Sequence, residues 1–277
     1  MTHQDPKLRI TAPAQRARGK LHLVVQADSG RTRLKDVRQE GSFRLLFPRK
    51  YDHSVEAVTL NTAGGITGGD QFAISAKAGA GTRLTLTTQA AERVYRAAGP
   101  DVGRFETALT VADGARLNWL PQETILFDGC ALDRRLTVDL APDAQFLMCE
   151  PVVFGRLSSN EVLNTGRFSD GVQITHAGRM IYRDAVALSG DIHAQLQRPA
   201  IANGAGAMAS VVFCHSQAAQ MLDATRTLLP HTGGASLLAE DILTIRLLAP
   251  DSFVLRQSLC PILTLLTDNA LPKTWRL

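Results

Sequence analysis

Four turn-then-strand units recur in the middle of this chain, and a repeat of that kind restricts the fold more than any single motif. Gly79, Ala80 and Gly81 precede residues 82–86; Asp113 and Gly114 precede residues 115–119. Pro142 and Asp143 precede residues 144–148, and Asp170 and Gly171 precede residues 172–175. The units start at 82, 115, 144 and 172, at intervals of 33, 29 and 28 residues. Alternating runs at 105–111 and 136–140 lie between them, so each unit reads as a pair of strands. Stacked units of this length cover one another's edges. The predicted fold class is therefore all-β, a layered or β-helix-like body of many short strands. A hairpin-rich sandwich is the competing arrangement.

Local patterns agree with that class. Residues 20–26 and 31–37 read as a hairpin across Asp28, Ser29 and Gly30. In residues 82–88, Leu84 and Leu86 take one face while Arg83, Thr85 and Thr87 take the other, the alternation of a half-buried strand. Two helices are predicted in the C-terminal third. Across 216–229, Ala218, Met221, Leu222, Thr225, Leu228 and Leu229 share a face, with Ser216 as N-cap and Pro230, Gly233 and Gly234 as the stop. Beyond Asp251, Leu255, Leu259, Ile262 and Leu266 repeat at helical spacing. Pro261 falls inside this pattern, and because proline lacks an N–H and crowds the carbonyl of Gln257, a kink or short break is expected there. No linker rich in Pro, Gly or Ser divides the chain, so residues 1–277 read as one domain, with 1–19 loosely ordered. Aromatic residues are only 5%, which leaves the core to Leu, Val, Ile and Ala.

The densest local constraint is residues 60–70, Leu-Asn-Thr-Ala-Gly-Gly-Ile-Thr-Gly-Gly-Asp. Its two glycine pairs imply positive φ or close approach of another backbone, with Thr62, Thr67 and Asp70 placed to cap turns through side-chain hydrogen bonds. A phosphate loop would open a helix and carry Lys with Ser or Thr. This loop leads instead into Phe72 and Ile74 at period two, a strand. The loop thus reads as architecture, with a partner surface or an anion nest in a small-molecule-binding β-domain as alternatives.

Catalytic signatures are missing: there is no G-x-S-x-G, H-E-x-x-H or P-loop lysine motif. The seven histidines are scattered, and Cys130, Cys149, Cys214 and Cys260 have neither zinc nor disulfide-scaffold spacing. The residues by themselves supply no catalytic constellation, and a small-molecule-binding or enzymatic β-domain stays open at this point. Carboxylates within apolar strand-like surroundings are more informative. Glu123 comes after residues 120–122, Glu150 shares a strand face with Phe146 and Met148, and Asp184 interrupts residues 180–183. An inward carboxylate costs several kcal/mol unless a cation, water or metal compensates it.

Charge is uneven. The net charge is +4, yet residues 1–50 carry twelve Lys or Arg against four Asp or Glu, a balance of 12 − 4 = +8. That suggests an acidic partner. Without interleaved aromatics, nucleic acid is not expected. No apolar run approaches the ~18 residues of a membrane span, and the polar start is unlike a secretory signal, so no membrane contact and a cytoplasmic location are expected.

Residues 61–70 resemble the signature loop of the UreD (UreH) urease accessory proteins. Four further segments agree in order and spacing: residues 87–96 (Thr-Thr-Gln-Ala-Ala-Glu-Arg-Val-Tyr-Arg), 119–125 (Trp-Leu-Pro-Gln-Glu-Thr-Ile), 154–156 (Phe-Gly-Arg) and 234–236 (Gly-Ala-Ser). The likeness runs from about Leu21 to Trp275 and rests on Asn61, Thr62, Gly64, Gly65, Thr67, Gly68, Gly69 and Asp70. It implies a non-catalytic scaffold, almost entirely β with two helices, that binds UreF-type and UreG-type accessory proteins and the urease apoprotein during nickel insertion. It also implies an internal tunnel for nickel, with no tightly bound cofactor and Ni²⁺ only in transit. Thr62, Thr88, Glu123 and Glu150 are the candidate tunnel lining, and Glu150 and Asp184 the candidate metal contacts.

Overall fold

The computed structural model describes residues 15–156, 159 and 161–276. Two sheets face one another. The first holds β1 (Arg18–Asp28), β2 (Arg31–Gly41), β5 (Gln71–Ala78), β8 (Gly103–Val111), β11 (Cys130–Leu140), β13 (Gly166–His176) and β14 (Arg179–Gly190), in the order β14-β13-β11-β8-β5-β1-β2. The second holds β3 (Phe43–Leu46), β4 (Val55–Asn61), β6 (Arg83–Thr88), β9 (Arg116–Leu120), β12 (Gln145–Phe154), β15 (Ala207–Cys214), β16 (Gly233–Ala239) and β17 (Ile242–Ala249), in the order β16-β17-β15-β12-β9-β6-β4-β3. Two short strands, β7 (Glu92–Val94) and β10 (Thr124–Leu126), continue this second sheet beside the end of β12.

From β4 to β13 the chain alternates between the sheets, so hydrogen-bonded neighbours are parallel and lie one coil apart. This is the expected β-solenoid-like stacking. Three of the four repeat units form it. Arg83, Arg116 and Gln145 stand in one register across β6, β9 and β12, which reproduces the 33- and 29-residue intervals. Their corners are also bonded to one another: the Gly81 N–H donates to the Asp113 carbonyl at 3.0 Å, and Arg116 N–H to Thr82 carbonyl at 2.8 Å. The fourth unit is different. Asp170 and Gly171 make no turn but lie inside β13, where Val172 pairs with Leu136 and Asp184 in the opposite sheet.

Burial follows from this winding. Along β11, Cys130, Leu132, Arg134, Leu136, Val138 and Leu140 face inward at period two and pack with Leu21, Leu23, Ile74, Phe146 and Ile174 between the sheets. By contrast, β12 and β15 are buried on both faces, because helices cover their outer side and form a second core with Leu147, Cys149 and Val211. That cover consists of α2 (Ala218–Leu228) and α3 (Ser252–Leu266), whose Leu255, Leu259, Ile262 and Leu266 are buried as the helical spacing required.

Some local expectations need correcting. Residues 1–14 lie outside the described residues, and Arg18 and Gly19 are already paired in β1 rather than loose. At α2 the cap is not Ser216: the helix opens at Ala218, and the His215 ring Nδ1 accepts the Gln217 N–H at 3.0 Å. α3 runs unbroken through Pro261, with Asp251 as its cap accepting the Val254 N–H at 2.8 Å; the packing of its apolar face outweighs one lost backbone bond. A third helix, α1 (Ile192–Gln197), escaped notice because six residues are too few for a helical period to register.

Candidate functional site

The glycine loop connects β4 of one sheet to β5 of the other, and its glycines are used in two ways. Gly64 and Gly69 have φ of +80° and +88°, which other residues resist. Gly65 and Gly68 are places of close approach: a Cβ on Gly65 would lie 2.4 Å from the Tyr95 ring and 2.6 Å from the Arg93 carbonyl, and one on Gly68 2.3 Å from the Asp101 carbonyl. The polar residues pin these turns. Thr62 Oγ1 donates to the Ser42 carbonyl at 2.8 Å, and Thr67 Oγ1 to the Arg96 carbonyl at 2.9 Å. Asp70 accepts from the Thr67 N–H at 2.9 Å and the Ala17 N–H at 2.8 Å. The Ile66 N–H donates to the Arg93 carbonyl at 2.8 Å, so the loop is locked on β7.

Beneath the loop, between the two sheets, lies a cavity of about 230 Å³. Gly64 of the loop and the bend at Gln89, Ala90 and Ala91 stand at its exposed side, and Trp119, Arg134 and Glu150 form its inner wall. Two of the segments singled out by resemblance therefore meet at one opening. Asn61 links them: its Nδ2 donates to Glu92 Oε2 at 3.1 Å and to the Gly65 carbonyl at 3.3 Å. Burial pushes the Glu92 carboxyl up to about 7, against the pull of the Asn61 hydrogen bond.

The inner wall is a buried charge network. Arg134 Nη1 lies 2.6 Å from Glu150 Oε2, and the Trp119 Nε1–H donates to Glu150 Oε1 at 2.6 Å. On its other side the guanidinium forks onto Asp170, Nε to Oδ1 at 2.9 Å and Nη2 to Oδ2 at 2.6 Å. It also donates to Thr124 Oγ1 at 2.9 Å and stacks over Phe168. Desolvation raises the pKa of Glu150, with Arg134 opposing. Burial works against the Arg134 cation too, but Asp170 and Glu150 hold it firmly protonated.

The predicted site residues do not share one place. Glu150 and Thr88 line the cavity. Thr88 Oγ1 there donates to the Ala90 carbonyl and accepts the Gln122 N–H, both at 2.9 Å. Thr62 is instead spent on Ser42, and Glu123 on α3, where Arg256 Nε lies 2.8 Å from its Oε1. Arg256 also donates to Gln122 Oε1 and stacks over Trp275, whose Nε1–H bonds the Leu120 carbonyl at 3.0 Å. Residues 120–123 thus clamp the C-terminal helix. Asp184 stands inward beside Val172 but at the sheet edge, where it pairs with Arg246 of β17 and accepts from Tyr182 OH at 3.3 Å. No nearby partner for it was legible in sequence.

Arg134, Asp170 and Glu92 were missed, and two of them left a signal. Arg134 occupies the inward phase of β11, and Asp170 that of β13 between Phe168 and Val172. A cation and an acid in the core phase of neighbouring strands point to a buried pair.

These features define a β-solenoid with a helical flank and, under a pinned loop, a largely apolar cavity between the sheets with a buried charge pair at its inner end. The model of the UreD urease accessory protein family matches residues 17–276. The urease accessory protein UreD of Ruegeria pomeroyi is 54% identical over 237 residues, 86% of this chain and 92% of that protein. The corresponding proteins of Roseobacter denitrificans and Rhizobium rhizogenes are 48% and 43% identical, each over 95% of this chain and 96% of their own length. The chain belongs to the UreD family of urease accessory proteins. Among the described residues, no helix is long and apolar enough to cross a membrane.

Proposed function

We propose that this chain is a non-catalytic scaffold of urease maturation, which binds UreF-type and UreG-type accessory proteins and the urease apoprotein and conducts nickel to the apoprotein. Family membership carries the maturation role. The observation that supports conduction is the cavity itself, which opens beside the glycine loop and reaches the buried Glu150–Arg134 pair between the sheets. A rigid parallel-stranded body suits this role, because it holds the wall fixed while surfaces outside it engage partners. The direct test is co-expression of urease subunits and the other accessory proteins with and without this chain. Size-exclusion chromatography should recover the chain in a complex, and urease matured without it should be poor in nickel. Recovery of the chain only as a free monomer, with urease fully nickel-loaded in its absence, overturns the proposal.

A further inference from the structure

Folded interiors hold few voids larger than a water molecule, yet this chain keeps about 230 Å³ open between its sheets. Most of the wall is apolar, built from Phe43, Ile66, Phe105, Trp119, Leu132 and Leu136. Arg93 and Arg135 also border the space but are exposed, so Glu150 and Arg134 set the polarity of its inner end. An apolar cavity of about 150 Å³ is enough to hold a benzene ring. The roughly 80 Å³ beyond that (230 − 150) leaves room for a polar head of a few atoms.

Two buried oxygens of this wall receive no hydrogen bond among the described residues, Thr59 Oγ1 and Glu150 Oε2. Thr59 follows Ala57 on the inward phase of β4 and is 4% exposed; Glu150 follows Phe146 and Met148 on that of β12 and is 5% exposed. Glu150 Oε2 lies 2.6 Å from Arg134 Nη1, but that nitrogen donates its hydrogen bond to Thr124 Oγ1. Gln122 Nε2 is a third orphan, yet its side chain belongs to the helical flank, where Arg256 engages Gln122 Oε1. Leaving a buried oxygen unpaired is costly, and what both oxygens can accept is a proton from a donor. The charges narrow the choice. An incoming carboxylate would face Glu150 and Asp170, and an incoming cation would lose its water against apolar walls while Arg134 already answers both acids. We infer that the cavity is a binding site for a small neutral molecule of the carboxamide class, with a ring-sized apolar body and an N–H head, which enters beside the glycine loop and turns its head to Thr59 and Glu150. This binding goes beyond the scaffold role and does not depend on it.

Four probes built on one ring test the inference on the full-length chain: benzamide, benzoate, benzamidinium and toluene. Binding is followed by saturation-transfer NMR titration. Benzamide is expected to bind about tenfold or more tightly than each of the other three. Thr59→Val keeps the side-chain shape without the hydroxyl, and should weaken benzamide about fivefold while leaving toluene as it was. Ala90→Trp, at an exposed position of the opening, should weaken both by obstructing entry. Melting curves of the two variants check that they fold, and the probe series on the parent chain decides the ligand class by itself. Benzoate or benzamidinium binding as tightly as benzamide overturns the neutral-donor class. Saturable binding of none of the probes, or benzamide binding indifferent to both folded variants, means that the cavity holds water alone and overturns the inference, whatever the co-expression experiment gives for the scaffold role.

Discussion

Glu150 and Asp184 present the same face to a reader of the sequence, each an acid in an apolar strand on the inward phase, and the fold treats them in opposite ways. Glu150 is 5% exposed and shares Arg134 with Asp170; Asp184 is 26% exposed at the side chain and reaches across a sheet edge to the half-exposed Arg246. The difference is one of position within the solenoid. β12 sits in the middle of its sheet with helices outside, whereas β14 ends its sheet and has water on one flank. A charge pair of similar geometry therefore matters greatly in one place and little in the other, because desolvation sets the cost of leaving a charge alone.

Removing the central cation from each pair measures that contrast most directly. Arg134→Met leaves Glu150 and Asp170 buried together without compensation, and a loss of about 3–5 kcal/mol is expected. Arg246→Met should lose about 0–1 kcal/mol, since its partner can turn to water. Thermal melting of both variants beside the parent chain reads the difference. Equal losses would show that the edge pair is as desolvated as the inner one.

Glu92 stands between these extremes, at the cavity's opening, and its effect depends on pH. Its folded pKa of about 7 lies above the ordinary carboxylate value of 4.5, so the folded chain binds the proton more tightly than the unfolded one. Stability from this group is intact below about pH 4.5 and is lost as pH rises through 7. Glu92→Gln keeps an acceptor for Asn61 and cannot ionise. The variant should match the parent at pH 5 and exceed it by about 1–3 kcal/mol at pH 8. A pH-independent difference would mean that the carboxyl is solvated in the folded chain.

The contrast also shows what the sequence could and could not disclose. Strand alternation and the spacing of turns exposed the solenoid, because a rung of fixed length forces turn residues to recur. It failed at Asp170 and Gly171 because a turn-like pair can sit mid-strand when both neighbouring strands hold it. The loop's glycines were legible as backbone constraints, for no other residue fits Gly65 against Tyr95. Partner identities across the fold were not. Arg134 and Glu150 are 16 residues apart (150 − 134) but Glu123 and Arg256 are 133 apart (256 − 123), and only the winding of the chain brings either pair together. Phase reveals that a charge is buried; topology decides what it meets.

The smallest effect is expected at Asp184, where a second readout keeps the prediction decisive. Asp184→Asn should alter stability by less than about 1 kcal/mol, because Arg246 is 47% exposed and regains water. Tyr182 nevertheless reports on the carboxylate. Burial, and after it the charge of Asp184, pushes the Tyr182 phenol up to about 12, with Arg246 pulling the other way. Removing the carboxylate leaves the phenol facing the guanidinium alone, so its titration should move down toward the ordinary value near 10. Absorbance of the phenolate, compared between the parent and Asp184→Asn, isolates that shift. A melting loss as large as that of Arg134→Met would place Asp184 in a closed, dry setting and erase the distinction between the two acids, whereas an unmoved Tyr182 would show that the carboxylate does not act on the phenol.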